Sequence, residues 1–91
     1  MNGTGTKAIT NTASGNTGNG MSVTGTANKL DTNGADTNTL AGITVSGTAN
    51  TIKKSTAQSN TGFDLEDTNP TCDSNVWRSS TFGTRSQTCI K

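Results

Sequence analysis

Three acidic residues, Asp64, Glu66 and Asp67, fall close together and form the densest set of groups in the chain that could do chemistry. On a strand whose Phe63 and Leu65 point inward, Asp64 and Glu66 point outward together, where two carboxylates can hold a cation or share acid–base work. The equivalent outward positions on the preceding stretches are Thr44 and Ser46, then Ser22 and Thr24, so no Lys, Arg or His shares that ladder. A base partner and a charge stabiliser are missing. Solvated acids that keep a sheet edge soluble are the competing reading.

A second set is cationic. Lys29 precedes Leu30 and Lys53-Lys54 follows Ile52, which places these charges near one corner of the fold, there to meet an acidic glycan or simply to be solvated. Trp77 offers a face for a sugar ring, and Arg78 beside it offers donors for hydroxyls or carboxylates. The competing reading of Trp77 is a buried plug, because it falls where Leu30 and Ile52 fall. The outward pairs Ser22/Thr24 and Thr44/Ser46 suggest a hydroxyl array that orders water, but acids interrupt it after two coils.

Cys72 and Cys89 stand 17 positions apart, and the chain has neither His nor a further Cys to complete a zinc site. A disulfide is the expectation. Closing a loop of that size stabilises by about 3 kcal/mol in the chain-entropy model, and it implies an oxidising compartment, hence a secreted or cell-surface protein.

The elements that position these groups must be built from little apolar material. Only 26% of the 91 residues are hydrophobic and 3% aromatic, while Thr, Asn, Gly and Ser supply more than half. With 14% charged residues and one Pro, the chain lacks the charge and proline content of a disordered segment. Thr and Val suit strands, and Gly and Asn suit turns. A net charge of +1, without aromatics interleaved among cations, gives nucleic acid little to hold. No run of apolar residues approaches the length of a membrane span.

The organisation follows from an internal repeat. Gly20-Met21-Ser22-Val23-Thr24-Gly25-Thr26-Ala27-Asn28-Lys29-Leu30 recurs as Gly42-Ile43-Thr44-Val45-Ser46-Gly47-Thr48-Ala49-Asn50-Thr51-Ile52, an offset of 22. Ala13, Ala35 and Ala57 keep that offset, as do Asn16, Asn38 and Asn60. Gly62 follows Gly42 after 20, which implies two residues lost from a loop between Asn60 and Gly62. Alternation at Met21/Val23, Ile43/Val45 and Phe63/Leu65 reads as strand with one buried face. Three short strands per 22 residues describe one coil of a β-solenoid. Inward residues then stack on their equivalents: Met21, Ile43 and Phe63; Val23, Val45 and Leu65; Leu30, Ile52 and Trp77. Asn16, Asn38 and Asn60 either join in an amide ladder or serve only as turn residues. The chain starts mid-coil, and its N-terminal edge is expected to continue into further coils or to stack on another chain. After Leu65 an insertion carrying Asn69-Pro70 breaks the period, which resumes with an offset of 25 at Asn75-Val76-Trp77 and Ser80-Thr81-Phe82.

Gly62-Phe63-Asp64-Leu65-Glu66-Asp67, Asn69-Pro70-Thr71-Cys72, Asn75-Val76-Trp77, Thr81-Phe82-Gly83-Thr84 and the closing Cys89-Ile90 resemble the C-terminal tail of bacterial right-handed parallel β-helix repeat proteins of the pectin-lyase-like fold. The resemblance implies a secreted protein in a polysaccharide context. It also implies that enzymes of this fold place carboxylates, often with Ca²⁺, beside Lys or Arg on their central coils. The fold expected is all-β: a right-handed parallel β-helix of about three to four coils of ~22 residues, residues 1–65, with a disulfide-stapled cap over residues 66–91. The function expected is a structural and binding capping segment of an extracellular, carbohydrate-associated β-helix. The alternatives are a fragment of a polysaccharide lyase, epimerase or hydrolase with its site upstream, or a self-assembling solenoid. No catalytic residue and no metal ligand is assigned, no cofactor is called for beyond Ca²⁺ in a parent protein, and polysaccharide is the expected partner, with no nucleic acid and no membrane. Asp64, Glu66, Lys53, Trp77 and Arg78 are the candidate ligand-binding residues.

Overall fold

The computed structural model describes residues 2–91; Met1, the first residue of the expected coil segment, lies outside the described residues. The chain is a parallel β-solenoid of about four turns. Its strands are β1 (Asn2–Thr4), β2 (Lys7–Ile9), β3 (Met21–Thr26), β4 (Lys29–Asp31), β5 (Ile43–Val45), β6 (Thr51–Lys53), β7 (Thr56–Ala57), β8 (Leu65–Asp67), β9 (Val76–Arg78) and β10 (Thr81–Phe82). They stack as β1-β3-β5-β8 in the first sheet, β2-β4-β6-β9 in the second and β7-β10 in a third, which isolated bridges from Thr12 to Gly34 and from Gly34 to Thr56 prolong.

Each coil turns its corners in the same way. Ala27, Thr32 and Thr37 have φ near +60°, as do Thr10, Ala49, Lys54, Ser59 and Ser79 at equivalent places. This left-handed conformation is costly for residues with a Cβ, and an Asn next in sequence offsets it. Asn28, Asn33 and Asn38 follow three such corners five residues apart. Their Oδ1 atoms accept the backbone N–H of Thr6, Asn11 and Asn16 one coil earlier, at 3.0, 2.9 and 3.0 Å. Their Nδ2 atoms donate to the carbonyls of Gly3, Ala8 and Ala13. The side-chain amides thus satisfy backbone groups that the bend takes out of the sheet. Asn50 and Asn60 continue two of these columns. The repeat revealed only the column through Asn16, Asn38 and Asn60; the structure contains it as a true ladder and adds two more.

Val23, Leu30, Ala35, Ile43, Val45, Ile52, Ala57 and Leu65 fill the narrow interior and are fully buried. Leu30, Ile52 and Trp77 stack as expected, and Phe82 lies against Ala57. The third coil corrects the expected register by two residues. Leu65 lies on Ile43 and Asp67 on Val45, so the stacks are Met21/Ile43/Leu65 and Val23/Val45/Asp67, and no residues are lost. Phe63 is 45% exposed rather than stacked on Ile43. The physical reason is the glycine column. A Cβ at Gly20 would come within 2.5 Å of Asn38 Nδ2, and one at Gly42 within 2.6 Å of Asn60 Nδ2, so a ladder amide occupies the space beside each glycine. Asp64 takes this position on the next coil, and its own carboxylate fills the slot where a further ladder Asn would stand.

The C-terminal segment closes the last coil. Leu65 N–H donates to Thr84 O and Ser86 N–H to Leu65 O, which adds a short fifth layer on the first sheet. Cys72, at the end of a 3₁₀ turn over Pro70–Cys72, is joined to Cys89 with the Cα atoms 6.1 Å apart. Ile90 is fully buried beneath this staple, and Trp77 plugs the core beside it.

Candidate ligand-binding surface

Strand alternation gives each sheet an outward face, and the three faces differ in chemistry. On the first sheet Ser22, Thr24 and Thr26 of β3 are exposed; on the next coil Ser46 is exposed, and Thr44 and Thr48 are half-buried. On the second sheet the residues flanking inward Ala8, Leu30, Ile52 and Trp77 form two columns, Lys7/Lys29/Thr51/Val76 and Ile9/Asp31/Lys53/Arg78. With Lys54 at the adjoining corner, five of the seven Lys and Arg residues of the chain lie on this face or at its edge. The sixth, Arg85, is committed to the cap: its guanidinium donates to Ile90 O at 2.9 Å and lies 5.5 Å from the centre of the Phe82 ring.

Lys29, Leu30, Thr51, Lys53 and Arg78 line an open groove of about 230 Å³ that crosses β4, β6 and β9 along the stacking axis. These five residues come from three successive rungs. Lys29 and Arg78 are exposed, and Lys53 reaches back one rung to Asp31, Nζ to Oδ2 at 3.6 Å. Asp31 also accepts the Thr32 hydroxyl at 2.8 Å. That hydrogen bond holds the Asp31 carboxyl below its ordinary value against slight desolvation, and the charges of Lys53 and Lys54 add to the effect. The sequence motifs alone do not single out Asp31. The signal was available in the offset, since Asp31 precedes Lys53 by 22 and must therefore lie beside it on the same column.

The acidic set is split. Asp64 does not point outward with Glu66. It is 3% exposed, and its carboxylate accepts the Asn60 backbone N–H and Nδ2 on one oxygen and the Gly83 and Thr84 N–H groups on the other, at 2.8–3.1 Å. Burial pushes its pKa up, but the hydrogen bonds from Asn60, Thr84 and Gly83 outweigh it and hold the carboxyl below the ordinary value. Glu66 stays on the outward side, where it accepts the Thr44 hydroxyl at 3.1 Å. Asp67 is buried and ties the cap together through Asn69 N–H, Asn75 Nδ2 and Trp77 Nε1. Among the described residues no three His, Cys, Asp or Glu side chains gather where one ion could sit.

Trp77 is 3% exposed, and its indole N–H is spent on Asp67 at 2.9 Å. Neither face is open to a sugar ring, so it acts as the plug and not as a stacking platform. Of the five candidate ligand residues, the fold brings Lys53 and Arg78 together in the groove, leaves Glu66 on another face, and buries Asp64 and Trp77. Comparison with family models, curated protein sequences and solved structures gives no match, so the fold and the groove stand on their own geometry.

Proposed function

We propose that the chain is a structural and binding segment of an extracellular β-helix whose basic face holds an acidic polysaccharide. The groove carries this reading: Lys29, Lys53 and Arg78 converge there, with Thr51 among them. An open groove with three cations spread over successive rungs suits an extended polymer better than a small enclosed substrate. Arg78 adds a planar fork that can pair a carboxylate with two parallel bonds. The Cys72–Cys89 disulfide is compatible with an extracellular setting. The resemblance of the tail to pectin-lyase-like β-helix proteins supports the carbohydrate context.

Titration of the purified chain with acidic and neutral polysaccharides tests the reading. Binding to acidic polymers that weakens steeply with salt, and that is lost in a Lys29→Gln/Lys53→Gln/Arg78→Gln variant, is the expected result. Equal binding to neutral dextran, or none to any polymer at low salt, would sink it.

A second reading rests on the first coil, where among the described residues β1 and β2 each have a strand on one side only and Ile9 is 58% exposed. Such an edge invites pairing with a further coil or a second copy. Concentration-dependent association in sedimentation velocity supports it, and a monomer at high concentration counts against a second copy.

A further inference from the structure

The three cations of the groove are not equivalent. Lys29 stands on β4, Thr51 and Lys53 on β6, and Arg78 on β9, one rung after another. Among the described residues Lys53–Asp31 is the one ion pair, so Lys29 and Arg78 meet no carboxylate of the chain. The Asp31 carboxylate is fixed on that column by the Thr32 hydroxyl at 2.8 Å, beside Lys53 and two rungs from Arg78. The middle cation is therefore paired within the chain, and among the described residues the two outer ones have no such carboxylate.

We infer that Asp31 is a specificity-determining residue: by holding Lys53 it makes the groove select an acidic polymer in which charged and uncharged sugar rings alternate. The inference rests on the proposal that the groove binds an acidic polysaccharide. Rungs are spaced by about 4.8 Å, so Lys29 and Arg78 are separated by about 10 Å along the axis. An extended pyranose chain advances roughly one ring per rung. Carboxylates on alternate rings then meet Lys29 and Arg78, and the neutral ring between them lies over Thr51, whose hydroxyl both donates and accepts. A carboxylate on the middle ring would instead compete with Asp31 for Lys53. Like charges brought together in this way disfavour the wrong ligand more than they strengthen the right one.

Hyaluronan, with one carboxylate per two rings, and polygalacturonate, with one on every ring, are the probes, cut to matched lengths and titrated at fixed ionic strength. Exposed charge pairs set the expected scale: the unsubstituted chain prefers hyaluronan by roughly two- to fivefold. Asp31→Asn raises affinity for polygalacturonate by roughly the same factor, leaves hyaluronan nearly unchanged and so removes the preference. Asp31→Glu, which keeps the charge, keeps the preference. The Asp31 side chain is 31% exposed, so these changes leave the core untouched, and a melting curve for each variant confirms it. No preference in the unsubstituted chain, or an Asp31→Asn variant that gains equally on both polymers, overturns the inference and leaves the groove reading standing. Failure of either polymer to bind at low salt overturns the groove reading itself.

Discussion

Asp64 stands directly after Asn60 in the hydrogen-bond column that begins at Asn16, and one of its carboxylate oxygens accepts both the Asn60 backbone N–H at 3.1 Å and the Asn60 Nδ2 at 2.8 Å. Asn38 and Asn60 each present an acceptor to the coil before and a donor to a carbonyl 25 residues earlier. The last coil has no further Asn in this column, so the ladder needs an acceptor that requires nothing in return. A carboxylate is such a group, and its second oxygen takes the Gly83 and Thr84 N–H groups of the cap. Asp64 therefore joins the repeat to its lid.

Acid should loosen this joint. The Asp64 carboxyl titrates lower in the folded chain than in the unfolded one. The stability it contributes is thus complete above the unfolded value, near 3.9, and is lost as pH falls through the folded value. Asp64→Asn keeps an acceptor for Asn60 but turns an amide toward Gly83 and Thr84. It should cost about 1–3 kcal/mol at neutral pH, as for a buried pair left unmade. Chemical denaturation at neutral pH and below pH 4 checks both points, and a variant that loses as much stability on acidification as the unsubstituted chain would remove Asp64 as the cause.

Much of the architecture was legible because the repeat is strict where backbone approaches backbone. Gly20 and Gly42 recur since a Cβ there strikes a ladder amide, and Leu30 and Ile52 recur since the core is one side chain wide. Pattern and structure part at the point where the repeat ends. Asp64 replaces a glycine and Asp67 replaces a valine, both buried, and hydropathy alone favoured the frame that put Gly62 in the glycine column, Phe63 on Ile43 and Leu65 on Val45. Buried acids become readable only once the donors they serve are known, and those donors, Gly83, Thr84, Asn75 and Trp77, lie 8 to 20 residues away. Lys53 and Arg78 could be named from sequence as cations near a corner. Their placement on one column with Asp31 needed the 25-residue offset of β9 to be combined with the 22-residue offset of β4 and β6.

Ser55 marks a gap that can be filled. It continues the corner column of Asn11 and Asn33, is 1% exposed, and its hydroxyl is the one buried side-chain polar atom without a partner among the described residues. An Asn there would offer Oδ1 to Asn33 N–H and Nδ2 to Leu30 O, the pattern that Asn50 and Asn60 make in their own columns. Ser55→Asn should stabilise by about 1 kcal/mol, the net contribution of an ordinary hydrogen bond. A raised melting temperature is the expected reading, and a fall would show that the corner is too tight for the larger side chain.

Gly42 and Gly18 make a matched pair. A Cβ at Gly42 would lie 2.5 Å from Asp64 O and 2.6 Å from Asn60 Nδ2, whereas one at Gly18 meets nothing within 4 Å. Gly42→Ala should therefore cost about 1–3 kcal/mol through overpacking, and Gly18→Ala should be neutral or slightly stabilising through the unfolded chain. Equal melting temperatures for the two variants would contradict the close approach of the ladder to the glycine column.

The disulfide closes the lid that Asp64 begins. Cys72 is buried at the end of the inserted 3₁₀ turn, and Cys89 precedes fully buried Ile90, so the bond links the two segments that enclose Trp77. Because the last coil is held on one side only by a short layer through Thr84–Ser86, the staple does for the end of the solenoid what a further coil does elsewhere. Reduction should cost about 3 kcal/mol and free the tail to swing away from Trp77. Intact mass with and without reductant should differ by two hydrogens, and the Trp77 fluorescence maximum should shift to longer wavelength on reduction as water reaches the indole. Loss of Trp77 shielding with the β1–β7 coils still folded by circular dichroism would locate the effect at the cap. An unshifted spectrum would mean that the Trp77–Asp67 hydrogen bond at 2.9 Å, and not the staple, keeps the plug in place.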